Sequence, residues 1–271
     1  MPEKSGLVVA ISEYADPRNN LDGVKNDVPA IMKILAGNGI LNVEVIRDRN
    51  ATLTNMQKAL EQLVRGKSAG DVCVFYFSGH GILLPKEFSQ TDDSDGQDEA
   101  FVTYECSLSS LMLDNWMAQY LKASLPRDVS FWGFYDCCHS GDLYKNVTIG
   151  GMPPAEENKA LTIDQIRVDA MPTSLGKNSD KDLKTVVLDP GLGRSFHFGA
   201  AQADRPTLCK TIAGTRRSVF TWALAETIGP NTPLTIDDTE KLVSSKVAEE
   251  TSVHIPQYAR NPLERSRVLF T

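Results

Sequence analysis

Residues 71–77, DVCVFYF, constrain this chain more than any other stretch. A short, almost unbroken apolar run rich in Val and aromatic residues reads as a strand buried on both faces, and such strands belong to parallel sheets covered by helices. The run stops abruptly in Ser78-Gly79-His80-Gly81, a sharp polar turn. Residues 129–135 repeat the arrangement and end in Asp136-Cys137-Cys138-His139-Ser140-Gly141. Two adjacent strand ends would therefore present His80 and the cysteines together.

The flanking sequence alternates in the same way. Residues 7–11 and 42–48 predict two further strands. Between them Asn26 and Asp27 stand as cap candidates before apolar Val28, Ile31, Met32 and Leu35, with Gly37 as the stop. Thr54 and Gln57 predict a capping box for a second helix, whose inward stripe is Met56, Leu60, Leu63 and Val64. Another helix is expected at 114–122, after an acidic loop at 90–99. Alternation of this kind implies an α/β fold with a mostly parallel sheet and helices on both faces, its chemistry at the strands' carboxyl ends. Residues 145–194 lose periodicity and gather Gly and Pro, which predicts a flexible connection with a functional role. Order resumes with a strand at 195–201, helices at 219–228 and 235–250, and a last strand at 267–271.

Composition narrows the function. The 271 residues are 41% apolar, enough for a sizeable core, and the formal charge of −7 disfavours nucleic acid as a partner. Five cysteines, an odd number in a chain too long to need a disulfide framework, fit a reducing compartment. No signal-peptide pattern opens the sequence, and no run approaches the roughly 20 apolar residues of a membrane helix. The expectation is a soluble, cytoplasmic protein with no membrane partner.

A thiolate nucleophile needs a base beside it, because an unassisted Cys has a pKa of about 8.5. His139 is badly placed, since neighbours on an extended segment point to opposite faces. His80 is better placed. Asp136, two residues before Cys138, shares its face on an extended segment. A carboxylate there raises the thiol's pKa unless the substrate brings positive charge, which points to a Lys or Arg side chain before the scissile bond. A buried backbone N–H or Arg partner is the other reading of Asp136, and helix capping the other reading of Asp27. Structural zinc does not fit, because Cys137, Cys138 and His139 are consecutive and cannot all face one ion.

The interval of 58 residues between His80 and Cys138 is near the roughly 50 of the caspase signature. Together with Leu21-Asp22-Gly23-Val24-Lys25-Asn26-Asp27 and Gly96-Gln97-Asp98-Glu99, the two turns resemble the metacaspase and orthocaspase branch of the caspase-like cysteine peptidases. The match covers most of 6–142 and extends more loosely from 195 onward. The resemblance implies a single domain, 1–271, with a three-layer sandwich around a mostly parallel six-stranded sheet. Within it, 1–144 would be large-subunit-like, 145–194 a flexible, cleavable linker and 195–271 small-subunit-like.

The resemblance further implies Cys138 as nucleophile, His80 as general acid and base, and an oxyanion hole from the backbone N–H groups of Gly81 and Cys138. Asp27, Ser78 and Asp136 would form the pocket for the basic residue, with Arg at least as good as Lys. Processing is expected within 145–194, where Lys159, Arg167, Lys177, Lys181, Lys184 and Arg194 are candidate sites. A calcium site would use Asp98 and Asp114. Asn115 replaces a second Asp and Lys145 another, and both departures weaken it, so no cofactor is taken as required. The expected partners are protein substrates with exposed Arg or Lys, and an activating protease or regulator of the linker. The rival readings are a catalytically silent caspase-like scaffold and an oxidation-sensing thiol protein.

Overall fold

The computed structural model describes residues 2–85, 87–88, 98–138, 157–171, 194–201, 207–230, 233–259 and 264–271. In chain order the elements begin with β1 (Lys4–Ala10), α1 (Asp27–Gly37), β2 (Asn42–Arg47), α2 (Leu53–Val64) and β3 (Val72–Ser78). Then come β4 (Gly81–Leu84), β5 (Asp98–Phe101), β6 (Met112–Leu113), α3 (Asp114–Ser124) and β7 (Ser130–Asp136). Two short strands follow, β8 (Glu157–Asn158) and β9 (Ala160–Leu161). The chain closes with β10 (Arg194–Gly199), β11 (Leu208–Ile212), β12 (Thr215–Ser218), α4 (Val219–Thr227), α5 (Ile236–Glu250) and β13 (Gln257–Ala259).

Six strands form the central sheet in the order β13-β10-β7-β3-β1-β2, parallel throughout except for β13. Every residue of β3 and β7 is buried, as apolar runs without alternation require in the middle of such a sheet. β2 lies at the edge, where most of its residues are exposed or half-buried. Helix α2 turns Met56, Leu60, Leu63 and Val64 inward, the stripe expected from their spacing. A smaller sheet, β6-β5-β4-β9, and a second, β12-β11-β8, extend the carboxyl-end side of the fold. No helix among the described residues is long and apolar enough to cross a membrane.

Four expectations change. The cap of α2 is Thr52, whose side chain accepts the Asn55 N–H, so the helix starts one residue before Thr54. Asn26 makes no capping bond, and Asp27 turns its carboxylate into the protein. The stretch 145–194 contains ordered chain at 157–171, including β8 and β9; its other residues up to 193 lie outside those described. Finally, 267–271 is no strand. Phe270 takes a φ of 58° and lays its ring 5.7 Å from that of Trp132, while Arg267 turns back onto the Thr271 carbonyl. Only one bridge forms there, Thr235 with Val268, and β13 takes the sixth place in the sheet.

Candidate active site

Ser78 and Asp136 are register partners at the ends of β3 and β7. His80 and Cys138 each lie two residues beyond that pair, so the fold sends both motif turns off the same end of adjacent strands. Cys138 and Cys137 are buried, and burial pushes the Cys137 thiol well above its ordinary range. The Cys137 carbonyl accepts the Thr207 hydroxyl at 3.1 Å. All five cysteines are buried and none forms a disulfide. His139, Ser140, Gly141 and Lys145 lie outside the described residues.

The His80 ring is held from two sides. Its backbone N–H donates to the Tyr14 hydroxyl at 2.7 Å, an approach that depends on Gly79, where a Cβ would come within 2.8 Å of that oxygen. Its Nε2 lies 2.8 Å from the Asn19 carbonyl, an acceptor only, which places the proton on Nε2 and leaves Nδ1 with its lone pair. Among the described residues Nδ1 has no hydrogen-bond partner. Asn19 is itself fixed by its side-chain amide, which donates to the Cys106 sulfur at 3.1 Å and the Gln165 carbonyl at 3.2 Å. Neither Tyr14 nor Asn19 carried a signal in the sequence.

Asp27, Ser78 and Asp136 meet as a buried acidic pocket, and the pocket contains Lys159. The ammonium is 2.8 Å from Asp136 Oδ1, 2.8 Å from Ser78 Oγ, 2.9 Å from the Asp136 carbonyl and 3.7 Å from Asp27. Burial alone would lower the lysine's pKa, but the two carboxylates outweigh it and hold the charge well above the usual lysine range. Asp27 is raised by the same burial, against the pull of Lys159.

The amino end of α4 supplies the remaining partners. Asp136 Oδ2 accepts the Thr221 N–H at 3.0 Å and its hydroxyl at 2.5 Å, while Asp27 accepts the N–H and hydroxyl of Ser218. Two carboxylates thus satisfy donors that the first turn of a helix leaves open, at its positive end. Neither Ser218 nor Thr221 was singled out in the sequence, and the Ser218 hydroxyl goes to Asp27 rather than capping its helix.

The backbone of Lys159 is held as firmly as its side chain. Its N–H donates to the Thr207 carbonyl at 3.0 Å, and its carbonyl accepts the Gly81 N–H at 2.9 Å. On either side, β8 pairs antiparallel with β11 and β9 pairs parallel with β4. An extended segment therefore crosses the site with its basic side chain down the acidic pocket.

The calcium expectation fares differently. Asp98 and Asp114 are buried, but Asn115 bridges them, donating its amide to Asp98 at 2.9 Å and its backbone N–H to Asp114 at 2.7 Å. An amide aimed nitrogen-first at a carboxylate offers that site no oxygen. Among the described residues no group of three His, Cys, Asp or Glu side chains is arranged to hold a metal ion. As they are placed, Asp98, Asp114 and Asn115 do not fit a calcium site.

His80, His197 and His254 are all buried, and burial pushes each down to about 4 from an ordinary 6.5. Between those values the unfolded chain binds more protons than the folded one, so stability falls as pH drops from about 6.5 toward 4. At pH 5 each histidine is expected to cost about 2 kcal/mol relative to pH 7.5. Urea unfolding at the two pH values measures it; equal midpoints would contradict it.

Comparison with known proteins agrees with this architecture. The family model described as the caspase domain matches residues 4–268. Metacaspase-4 of Arabidopsis thaliana is 29% identical over 211 residues, covering 74% of this chain and 47% of that protein. Metacaspase-1 of the same plant is 31% identical over 149 residues, 52% of this chain and 40% of the relative. Metacaspase-1 of Candida albicans is 26% identical over 151 residues, 52% of this chain and 34% of the relative. The chain thus spans a third to a half of the length of these relatives. The crystal structure of protein GSU0716 from Geobacter sulfurreducens shares the fold, with a TM-score of 0.72 at 17% identity over 100% of this chain and 99% of that one. Matched from the first strand almost to the last residue, and carrying its two motif turns on neighbouring strands of a six-stranded sheet, the chain belongs to the caspase-domain family, and the relatives named above that it resembles are metacaspases.

Proposed function

We propose that the chain is a cysteine endopeptidase that cleaves after Lys or Arg and is closed by its own segment until the bond after Lys159 is cut. The observation that carries this reading is the double seating of Lys159: ammonium between Asp136 and Asp27, carbonyl on the Gly81 N–H. A peptide poised for attack needs its side chain anchored and its carbonyl polarised at once.

In this reading the Cys138 sulfur attacks the carbonyl carbon while His80 Nδ1 takes the thiol proton. Negative charge gathers on the carbonyl oxygen, where the N–H groups of Gly81 and Cys138 receive it. The C–N bond then breaks, His80 protonates the departing amine, and a thioester remains. Water, deprotonated by His80, attacks that thioester and releases the carboxylate and the thiol. Arg substrates should equal or surpass Lys, since a guanidinium can span two acceptors of the pocket.

Fluorogenic peptides ending in Arg, Lys or Asp, each assayed with and without calcium, test the reading. The basic peptides are expected to turn over at least about 100-fold faster than the Asp peptide, the discrimination anticipated when a buried carboxylate loses its cationic partner. Sequencing of the processed chain should find a new N-terminus at Ala160. Preference for Asp, or no turnover of any peptide, would refute it.

A further inference from the structure

Resting on the reading of Lys159 as a segment in the substrate's place, we propose that this site also reads an acidic side chain two residues before the basic one, with Arg216 and the Gly23 N–H as the readers. Glu157 and Asn158 lie antiparallel on β11, Asn158 opposite Leu208 and Glu157 opposite Cys209, and the Lys159 N–H continues the ladder to Thr207. A peptide bound this way adds a strand to the β11–β12 hairpin. Its alternate side chains then face the same way, so Glu157 and Lys159 point to one wall.

That wall is built with opposite charges. Glu157 Oε1 lies 3.0 Å from Arg216 Nε, and its Oε2 accepts the Gly23 N–H at 3.3 Å. Both side chains are about three-quarters shielded, at 25% and 23% exposure, which places the pair between a solvated rim contact and a buried one. Gly23 can come this close because it has no side chain: a Cβ there would meet the Cys209 Cβ and Sγ at 2.7 Å.

Arg216 is positioned by the same strand that shapes the basic pocket. Its carbonyl accepts the Asn26 amide at 2.7 Å, and Ser218, two residues on and so on the same face, donates to Asp27. One strand, β12, therefore presents a cation toward the third residue before the cut and ends in the serine that holds Asp27, a carboxylate of the pocket for the first. The ligand that fits is an extended peptide of the pattern acid, any residue, Lys or Arg. A guanidinium paired with a carboxylate gives direction as well as attraction, which a general acidic or basic surface would not.

The self-processed full chain is to be given three fluorogenic peptides, Glu-Asn-Lys, Gln-Asn-Lys and Lys-Asn-Lys. We expect kcat/KM for the Glu peptide to exceed that for Gln about fivefold and that for Lys more than about tenfold, the scale of a partly shielded ion pair, with the preference shrinking in high salt. Arg216→Glu should reverse the order, and Arg216→Gln should flatten it. Because the readout is a ratio within each variant, a general loss of activity cancels. Equal turnover of the three peptides by the wild type, or an unchanged order in both variants, would overturn the acidic preference while leaving the Lys and Arg peptidase intact. No turnover of any of the three overturns both.

Discussion

Cys138→Ala is expected to leave the bond after Lys159 whole and to cut turnover of Lys and Arg peptides by at least about 10,000-fold. The substitution removes one atom from a buried position and leaves Lys159, Gly81 and His80 where they are, so binding should survive the loss of chemistry. Cys137→Ala is the matched control. Its thiol is pushed well up by burial and its carbonyl is occupied by Thr207, so it should keep processing and turnover within about tenfold, as for a residue outside the attacking pair. Intact mass and N-terminal sequencing of both proteins decide the matter. New termini appearing at equal rates in wild type and Cys138→Ala would remove Cys138 as nucleophile.

Asp136→Ala should destabilise the unprocessed chain by about 3 to 5 kcal/mol, the cost of leaving one member of a buried ion pair behind. Of its two carboxylates the ammonium of Lys159 would keep only the more distant Asp27, beside the neutral Ser78 hydroxyl and the carbonyl of residue 136, and the N–H and hydroxyl of Thr221 would lose their acceptor. A fall in Tm of roughly 10 °C follows for a chain of this size. Lys159→Met combined with Asp136→Ala should recover most of the loss, because an apolar replacement of both partners removes the stranded charge. Thermal melts of the three proteins measure it. A Tm for Asp136→Ala within a degree or two of wild type would mean the pair contributes nothing to the closed form.

The parts of this molecule that could be read from sequence are those whose pattern is local. β3 and β7 announce themselves because both faces are buried and their middle positions are almost all apolar, and each runs into the polar turn that carries a motif residue. The stripe of α2 survives an error in its cap for the same reason: four inward side chains specify a face more strongly than one hydroxyl specifies a start. For Asp136 the sequence offered two alternative readings, a pocket for a basic side chain or a buried partner of a backbone N–H; one oxygen meets this chain's own Lys159 and the other the Thr221 N–H at the start of α4.

What could not be read depends on distant chain. Lys159 is one of six basic residues that the sequence offers as cleavage candidates, and nothing local sets it apart from the other five; its burial is decided by carboxylates from β7 and α1. The strands β4, β5, β6, β8 and β9 are two to four residues long, too short for alternation to separate from chance. The last five residues have the right composition for a strand, and only the positive φ of Phe270 and its seat on Trp132 turn them aside.

The sheet order has a consequence for what cutting the chain would achieve. β10 and β13 lie downstream of the bond after Lys159, yet β10 is hydrogen-bonded along its whole length to β7 from upstream. A nick there changes connectivity without dividing the core. The two fragments should separate on a denaturing gel but travel as one particle through a sizing column, because the seam between them runs through the middle of a continuous sheet.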